Sequence, residues 1–419
     1  MEPLTLLLIT PTPPLPDSGG GISIFGTLSE LKRRGAVIDL VCFRADRSQE
    51  KLEPIRQLCH HLVLIEGLGG WSAEVVLKAL LRQQPLVVAR HHSQLMQQAI
   101  NQQLGTCAYK LVLVEFSFMF QYLMQPGLTF AQGQKPRIVL EHRVVTPKVY
   151  QYFSDVAPNS IVKWFRHYEI QRLKAYLRAA LLVADQHLFV GQEDLAYIRQ
   201  EFPEISSDKL LYRPTGLILE RYPVADPAQT EPNTLGFFGA FNWAANVDAV
   251  HYFVRDILPL IQLRQPQVKF VLAGRSAPAS IQALAGHPAI EFMGEVDDMF
   301  TLARRVAVMV VPLRIGAGTR LKILEALAWG KPVVTTSIGA EGIEFTPGED
   351  LLVADQPELF AQTVAELLAD PLQQRRLSQS GRQQVETMYT TQRSVDRLLN
   401  VLGLAMPTPE LPAMSGRGD

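Results

Sequence analysis

A chain of 419 residues, 47% hydrophobic and 19% charged, is long enough for two domains of ordinary size and has a soluble globular composition. Lys and Arg number 40 against 41 Asp and Glu, a net charge of −1, so no basic excess points to a nucleic-acid binder. Cys42, Cys59 and Cys107 stand singly without disulfide or metal spacing, as suits a reducing compartment, and no apolar run nears the ~20 residues that span a bilayer.

Residues 4–10 are too short for the apolar core of a signal peptide and lack a positive flank, so they read as the first core strand. Residues 10–25, T-P-T-P-P-L-P-D-S-G-G-G-I-S-I-F, join it to a helical stretch. Gly19, Gly20 and Gly21 let backbone approach a ligand closely and adopt positive φ; the alternative is a plain surface turn. They do not make a Gly-x-Gly-x-x-Gly fingerprint, which disfavours a dinucleotide site.

Further apolar runs at 37–43, 62–65, 111–115, 137–141, 187–190 and 210–213 alternate with helical patterns over 24–34, 73–81, 161–180 and 192–201. That alternation predicts a mostly parallel sheet covered on both faces. Glu115 and the Glu141-His142-Arg143 run stand at strand ends, where open α/β sheets gather ligands, and are expected to point into a cleft. His142 can equally be a structural histidine. The adjacent pairs His60-His61 and His91-His92 are expected to point apart, and no cluster has metal spacing, so no metal site is expected. Residues 161–180 are apolar at Ile161, Trp164, Phe165, Tyr168, Leu173, Tyr176 and Leu177, and basic at Lys163, Arg166, Arg172, Lys174 and Arg178. A core-facing stripe with a solvated basic face is the commoner arrangement, and a helix on an anionic membrane surface is the second.

Pro214, Pro223, Pro227 and Pro232, among polar residues without periodicity, predict a linker over 214–233. The pattern then restarts with strands at 234–238, 268–273, 290–293, 306–312, 332–336 and 351–353. The loop after the first of these holds Gly239, Asn242, Trp243 and Asn246 but no cation, so positive charge must come from Arg275, Arg314, Arg320 or Lys322. Asp297-Asp298 reads as a helix cap. Residues 310–342 run V-V-P-L-R-I-G-A-G-T-R-L-K-I-L-E-A-L-A-W-G-K-P-V-V-T-T-S-I-G-A-E-G. A strand, a glycine turn capped by Thr319 and a helix over 320–329 ending at Gly330 make an anion-binding arrangement. Lys322 and Glu325, three apart, share a helix face suited to phosphate oxygens and ribose hydroxyls; an exposed ion pair is the plain alternative. After Met406-Pro407 the chain reads as a disordered tail ending in Arg-Gly-Asp, a match too short to carry meaning.

The 310–342 segment resembles the donor-site signature of the retaining GT-B glycosyltransferases of family 4, in the branch with P-L-R-x-G-x-G-T-R-L-K-I-L-E-A. The resemblance covers nearly the whole chain and is strongest over 234–391. It implies an α/β GT-B fold of two Rossmann-like domains facing across a cleft: an acceptor domain over 1–213, a linker over 214–233, a donor domain over 234–405 and a tail over 406–419. In that family Glu325 would hold the ribose. Ala317 replaces the first Glu of the motif, which leaves the sugar to backbone near Gly318 and Thr319. The turn at 293–296 would read the base through Val296, and the glycine loop at Gly20 and Gly21 would reach the donor phosphates. Gly239, Asn242, Arg275, Arg320 and Lys322 complete the donor set. His142, Glu115 and Lys322 are the catalytic candidates.

The implied reaction moves a sugar from a nucleotide diphosphate sugar to a carbohydrate or lipid-linked acceptor hydroxyl with retained configuration, without a metal or further cofactor. Its setting is cell-envelope polysaccharide or glycolipid synthesis in the cytoplasm, with peripheral contact at the inner membrane surface as a secondary expectation. A nucleotide-sugar epimerase of the same fold and a non-catalytic nucleotide-sugar binder are the competing readings.

Overall fold

Each apolar run singled out in the sequence forms a strand in the computed structural model, which describes residues 3–16, 19–44, 48–67, 72–155, 159–316 and 318–407. Ala317 and the tail over 408–419 lie outside the described residues. The first sheet holds β1 (Thr5–Thr10), β2 (Val37–Phe43), β3 (His61–Ile65), β4 (Leu111–Glu115), β5 (Arg137–His142), β6 (Gln186–Phe189) and β7 (Leu210–Tyr212), in the order β3-β2-β1-β4-β5-β6-β7. The second holds β8 (Thr234–Phe238), β9 (Lys269–Ala273), β10 (Ile290–Gly294), β11 (Val308–Val311), β12 (Val333–Thr335) and β13 (Leu352–Val353), in the order β10-β9-β8-β11-β12-β13. All pairings are parallel.

Near-continuous apolar sequence follows from this, because parallel strands bury both faces. Along β1, Leu6 and Leu8 enter one core cluster while Leu7 and Ile9 enter the other, on opposite sides of the sheet. Strand order reverses direction between β1 and β4, and again between β8 and β11. Those switch points leave crevices at the strands' carboxyl ends.

Three expectations change. The glycine stretch is the first turn of the helix Gly19–Arg33 rather than a loop, and neither Gly20 nor Gly21 has positive φ. The 214–233 segment, read as a linker without periodicity, is packed on the second domain: Leu217 and Tyr222 are buried in the second core, and the amides of Leu217, Ala225 and Glu231 donate to the carbonyls of Tyr389, Trp329 and Arg305.

The third change concerns the last helix, Thr391–Val401, placed by sequence in the second domain. Its Val395, Leu398 and Leu399 complete a core cluster of the first. A Cβ on Gly26 would lie 2.8 Å from Thr391 Oγ1, and one on Gly216 would lie 2.7 Å from Thr391 Cα, so both glycines are where this helix seats. An amphipathic period marks a buried face without saying which domain buries it.

Candidate active site in the interdomain cleft

The carboxyl ends of the two sheets face each other across a cleft of about 750 Å³. From the first domain it is lined by Gly20, Ser23, Phe116, Arg143 and Val190, from the connecting segment by Thr215 and Tyr222, and from the second domain by Gly239, Asn246, Arg275, Val296, Lys322 and Glu325, among others. One side of the cleft is closed by direct contact. Thr319 Oγ1 donates to Val190 O at 3.2 Å, Gly342 N to Glu193 Oε2 at 2.9 Å, and Tyr152 OH to Glu341 Oε1 at 3.2 Å. At Gly318, φ is +70° and a Cβ would lie 2.1 Å from Arg143 O, so only glycine lets the turn after β11 meet the first domain. Gly318 itself is part of this seam rather than of the cleft lining.

The second-domain wall begins at β8. Gly239 follows that strand, and a Cβ on Gly274 would lie 1.7 Å from Gly239 O, so the β8 and β9 ends touch backbone to backbone. That contact brings Arg275 to the cleft; Phe241 N donates to its carbonyl at 2.9 Å. Val296 lines the far end, and Asp298 caps the helix Met299–Ala303 by accepting from Phe300 N at 3.0 Å. Asn242 is exposed and off the cleft; Asn246, in the first turn of the helix Ala244–Tyr252, is the asparagine that faces it.

The signature helix is Leu321–Ala328. Its N-cap is Arg320 and not Thr319, whose hydroxyl crosses to Val190 instead. Its end matches the sequence: Gly330 N bonds Leu327 O and Lys331 N bonds Ala326 O, with Gly330 at φ +70°. Lys322 and Glu325 are recessed in the wall and are not each other's salt-bridge partners. Lys322 Nζ donates to Asn246 Oδ1 at 2.5 Å and lies 3.9 Å over the Phe237 ring. Tyr222 OH donates to Glu325 Oε1 at 3.0 Å. Burial pushes the Lys322 ammonium down to about 7, with Glu325 opposing and Arg320 adding to the fall. Burial pushes the Glu325 carboxyl up to about 7 against the Tyr222 hydrogen bond and the Lys322 charge. Both groups are therefore poised to change protonation when a charged ligand arrives.

The other cations divide. Arg320 is buried; it donates to the Gly318 and Ile338 carbonyls and lies 3.6 Å from Glu341, with burial lowering its pKa. Arg314 is held by Asp248 at 2.6 Å and does not line the cleft.

The first-domain catalytic candidates lie elsewhere than expected. Glu115 and Glu141 are register partners on β4 and β5, so two buried carboxylates stand side by side. Arg143 answers Glu115 bidentately, Nε to Oε2 at 2.9 Å and Nη2 to Oε1 at 3.0 Å. Arg213 holds Glu141 through one nitrogen, Nη1 donating to Oε1 at 2.8 Å and to Oε2 at 2.6 Å, while its Nη2 donates to Thr27 Oγ1. Burial works against the Arg143 charge, and Glu115 and Glu141 more than offset it, so its pKa is raised. Glu115 is thus sealed beneath the cleft; Arg143 is the member of this network that reaches the lining. His142, on the opposite face of β5 from Glu141, is fully buried. It stacks on Phe189 at 4.5 Å and meets His187 at 3.3 Å. Burial, then the His187 neighbour, lowers its pKa well below the usual value, which describes a neutral core imidazole. Gly20 lines the cleft; Gly21, next along the helix, does not.

Both His60 and His61 turn toward Asp39 Oδ1, at 3.4 and 3.2 Å, rather than apart. Asp39 also accepts from Tyr109 OH at 2.6 Å. Asp39 on β2, His61 on β3 and His60 just before it thus bring three ligand atoms within 4.8 Å of one another, a grouping the sequence reading did not expect, outside the cleft lining.

Tyr222, Ser23, Phe116 and Thr215 are among the cleft-lining residues that the sequence did not single out, and Asn246 and Arg143 line it in roles the sequence did not assign. Tyr222 had one visible signal, an aromatic with Leu217 in an otherwise polar, proline-rich stretch.

Residues 232–370 match the family model described as glycosyl transferases group 1. An uncharacterized 44.6 kDa protein in the cps region of Klebsiella pneumoniae is 22% identical over 376 residues, 86% of this chain and 89% of that protein. Sucrose-phosphate synthase from Thermosynechococcus elongatus superposes with a TM-score of 0.68 at 18% identity, over 95% of this chain and 98% of that one. HepE of Anabaena, in complex with UDP and glucose, superposes with a TM-score of 0.62 at 14% identity, over 95% and 99%. The chain has the two-domain α/β fold of GT-B glycosyltransferases, and residues 232–370 carry the group 1 glycosyl transferase pattern on the wall that holds Lys322 and Glu325.

Proposed function

We propose that this protein is a retaining, metal-independent hexosyltransferase of family 4 type, moving a sugar from a nucleotide diphosphate sugar to an acceptor hydroxyl. The observation that carries the reading is the recessed Lys322–Glu325 pair on the group 1 wall of the cleft, each poised near neutrality and each held by its own partner. Glu325, oriented by Tyr222, takes the ribose hydroxyls. Lys322 and Arg275 face the diphosphate and supply the charge that a metal would otherwise bring. Gly239, Thr319 and Val296, which line the cleft, take phosphate, sugar and base in this reading. Gly20, at the helix start opposite, completes the phosphate side.

In the reaction the bond from the anomeric carbon to phosphate oxygen breaks and the bond to the acceptor oxygen forms on the same face. The acceptor proton passes to the departing phosphate. Support for phosphate as the base comes from the sealed acids: Glu115 and Glu141 have their carboxylates committed to Arg143 and Arg213. The same burial of Glu115 and His142 disfavours an epimerase, which needs acids and an imidazole over the sugar.

HepE is in complex with UDP and the Klebsiella relative lies in a cps region, so uridine nucleotide sugars and envelope polysaccharide acceptors are the first to try. The test is release of nucleoside diphosphate from a panel of nucleotide sugars with envelope glycolipid extract, with and without chelator. Acceptor-dependent release unaffected by chelator supports the reading. Consumption of donor without acceptor marks an epimerase, and binding without release marks a non-catalytic binder.

A further inference from the structure

The helix Ser160–Val183 splits along its length. Its second half is packed as the sequence predicts, with Ile170, Leu173 and Leu177 buried. Its first half is not. Ile161 is 80% exposed and Trp164 69%, with Phe165 and Tyr168 following on the same side. Trp164 stacks on Tyr168 at 6.1 Å between centroids, so the aromatics form a surface plate of their own.

Arg172 links the plate to a second helix. The Arg172 guanidinium lies over the Tyr168 ring at 5.3 Å and donates to the carbonyls of Ala79 and Gln84, at the end of the helix Ala73–Leu81. Beside Ala79, Leu80 and Leu81 are exposed, Leu81 at 76%, and Leu77 one turn earlier is exposed as well. Seven large apolar side chains are thus exposed on the two helices that Arg172 ties together, a concentration rarely left bare on a protein that works alone in water.

Charge says what covers it. Residues 159–168 contain Lys163, Arg166 and His167 and no Asp or Glu, in a chain whose net charge is −1. Arg82 follows the second helix. Pairing this face with its own copy across a two-fold axis would bring the cations of both copies together. An anionic lipid surface satisfies both halves of the pattern: Ile, Leu and Phe enter the acyl boundary, Trp and Tyr sit at headgroup level, and Lys and Arg meet lipid phosphate.

The patch adjoins the cleft. Arg166 donates to the Phe153 carbonyl, and the Phe153 ring packs edge-on against cleft-lining Trp243 at 6.2 Å. We infer that the exposed faces of Ser160–Val183 and Ala73–Leu81 dock the first domain on an anionic bilayer, with the cleft mouth beside the lipid surface. Among the described residues no helix is long and apolar enough to cross a membrane, so the contact is interfacial. That the acceptor arrives in the lipid rests on the transfer reading; the docking itself does not.

The experiment is flotation of the full chain with phosphatidylcholine vesicles with and without phosphatidylglycerol, in the absence of donor and acceptor. Wild type is expected to float with the anionic vesicles and to be released by salt. Ile161→Glu with Trp164→Glu should lower the bound fraction about tenfold or more without moving the unfolding transition, since both side chains are exposed. Lys163→Glu, which leaves the plate intact, should weaken binding to anionic vesicles alone. Equal flotation of the double variant and wild type would overturn the proposal. So would a wild-type dimer in sedimentation, lost in the double variant, with no vesicle binding by either. Donor binding is measured separately, so failure here is distinguishable from failure of the transfer reading.

Discussion

Glu325→Gln separates a ligand-binding carboxylate from a structural one, because the two roles predict opposite stability changes. The pKa of Glu325 rises from 4.5 to about 7 on folding, chiefly through burial, which corresponds to about 3 kcal/mol against the charged form. Between pH 4.5 and about 7 the folded protein holds a proton that the unfolded chain has released. Wild-type stability therefore falls through that window, and the penalty is complete above it. Gln keeps an oxygen for the Tyr222 hydroxyl and carries no charge. Urea unfolding at pH 8 should show the variant more stable than wild type by about 1–3 kcal/mol, with the gap closing toward pH 4.5. Calorimetric titration with the nucleoside diphosphate should show the reverse in binding, a loss of about 1.5–3 kcal/mol, or roughly 10- to 150-fold in Kd. A variant that loses stability and affinity together would make Glu325 a structural residue, and unchanged affinity would remove it from the site.

Glu115→Ala leaves the Arg143 charge buried without its bidentate partner and should cost about 3–5 kcal/mol in urea unfolding; wild-type stability with lost turnover would restore Glu115 to catalysis. Gly274→Ala meets Gly239 O at 1.7 Å, so the β8 and β9 ends must separate: about 3 kcal/mol or more of stability should be lost, and a neutral result would contradict the close approach. A side chain on Gly20 meets nothing within 4 Å and projects from a cleft-lining residue, so Gly20→Val should fold normally, keep most donor affinity and lose transfer. Normal transfer by that variant would remove the first helix from the phosphate site. Turnover abolished by chelator and restored by Mg²⁺ or Mn²⁺ would overturn the assignment of the diphosphate to Lys322 and Arg275; modest stimulation would not.

The sheets were legible because parallel strands buried on both faces write themselves as continuous apolar runs, as β4 and β11 do. The helix at 321–328 was legible because its glycine stop and three-residue Lys–Glu spacing are local. What was not legible was long-range. Glu115 looked like a cleft acid because the sequence does not reveal that Glu141 is its register partner, nor that Arg143 and Arg213, 28 and 72 residues away from the acids they meet, neutralise the pair. His142 and Glu141 are neighbours on a strand and so take opposite faces; choosing the cleft-facing one requires knowing where the sheet sits. Asn246 rather than Asn242 faces Lys322 because the helix Ala244–Tyr252 begins between them and turns only the second inward. Similarly, the exposed plate at Ile161 and Trp164 shares one amphipathic pattern with the buried Leu173 and Leu177, and only the packing of neighbours divides the helix in two.

Binding of nucleotide sugar on the Lys322–Glu325 wall underlies every role proposed for the cleft. A thermal-shift screen of nucleotide sugars on the wild type and on a Lys322→Ala, Glu325→Ala double variant tests it most directly. Ligand at a hundred times Kd stabilises by about 2.7 kcal/mol, a shift of a few degrees. At least one nucleoside diphosphate sugar should raise the wild-type Tm and leave that of the folded double variant unchanged; equal shifts in both proteins, or none in the wild type across the panel, would contradict binding on this wall.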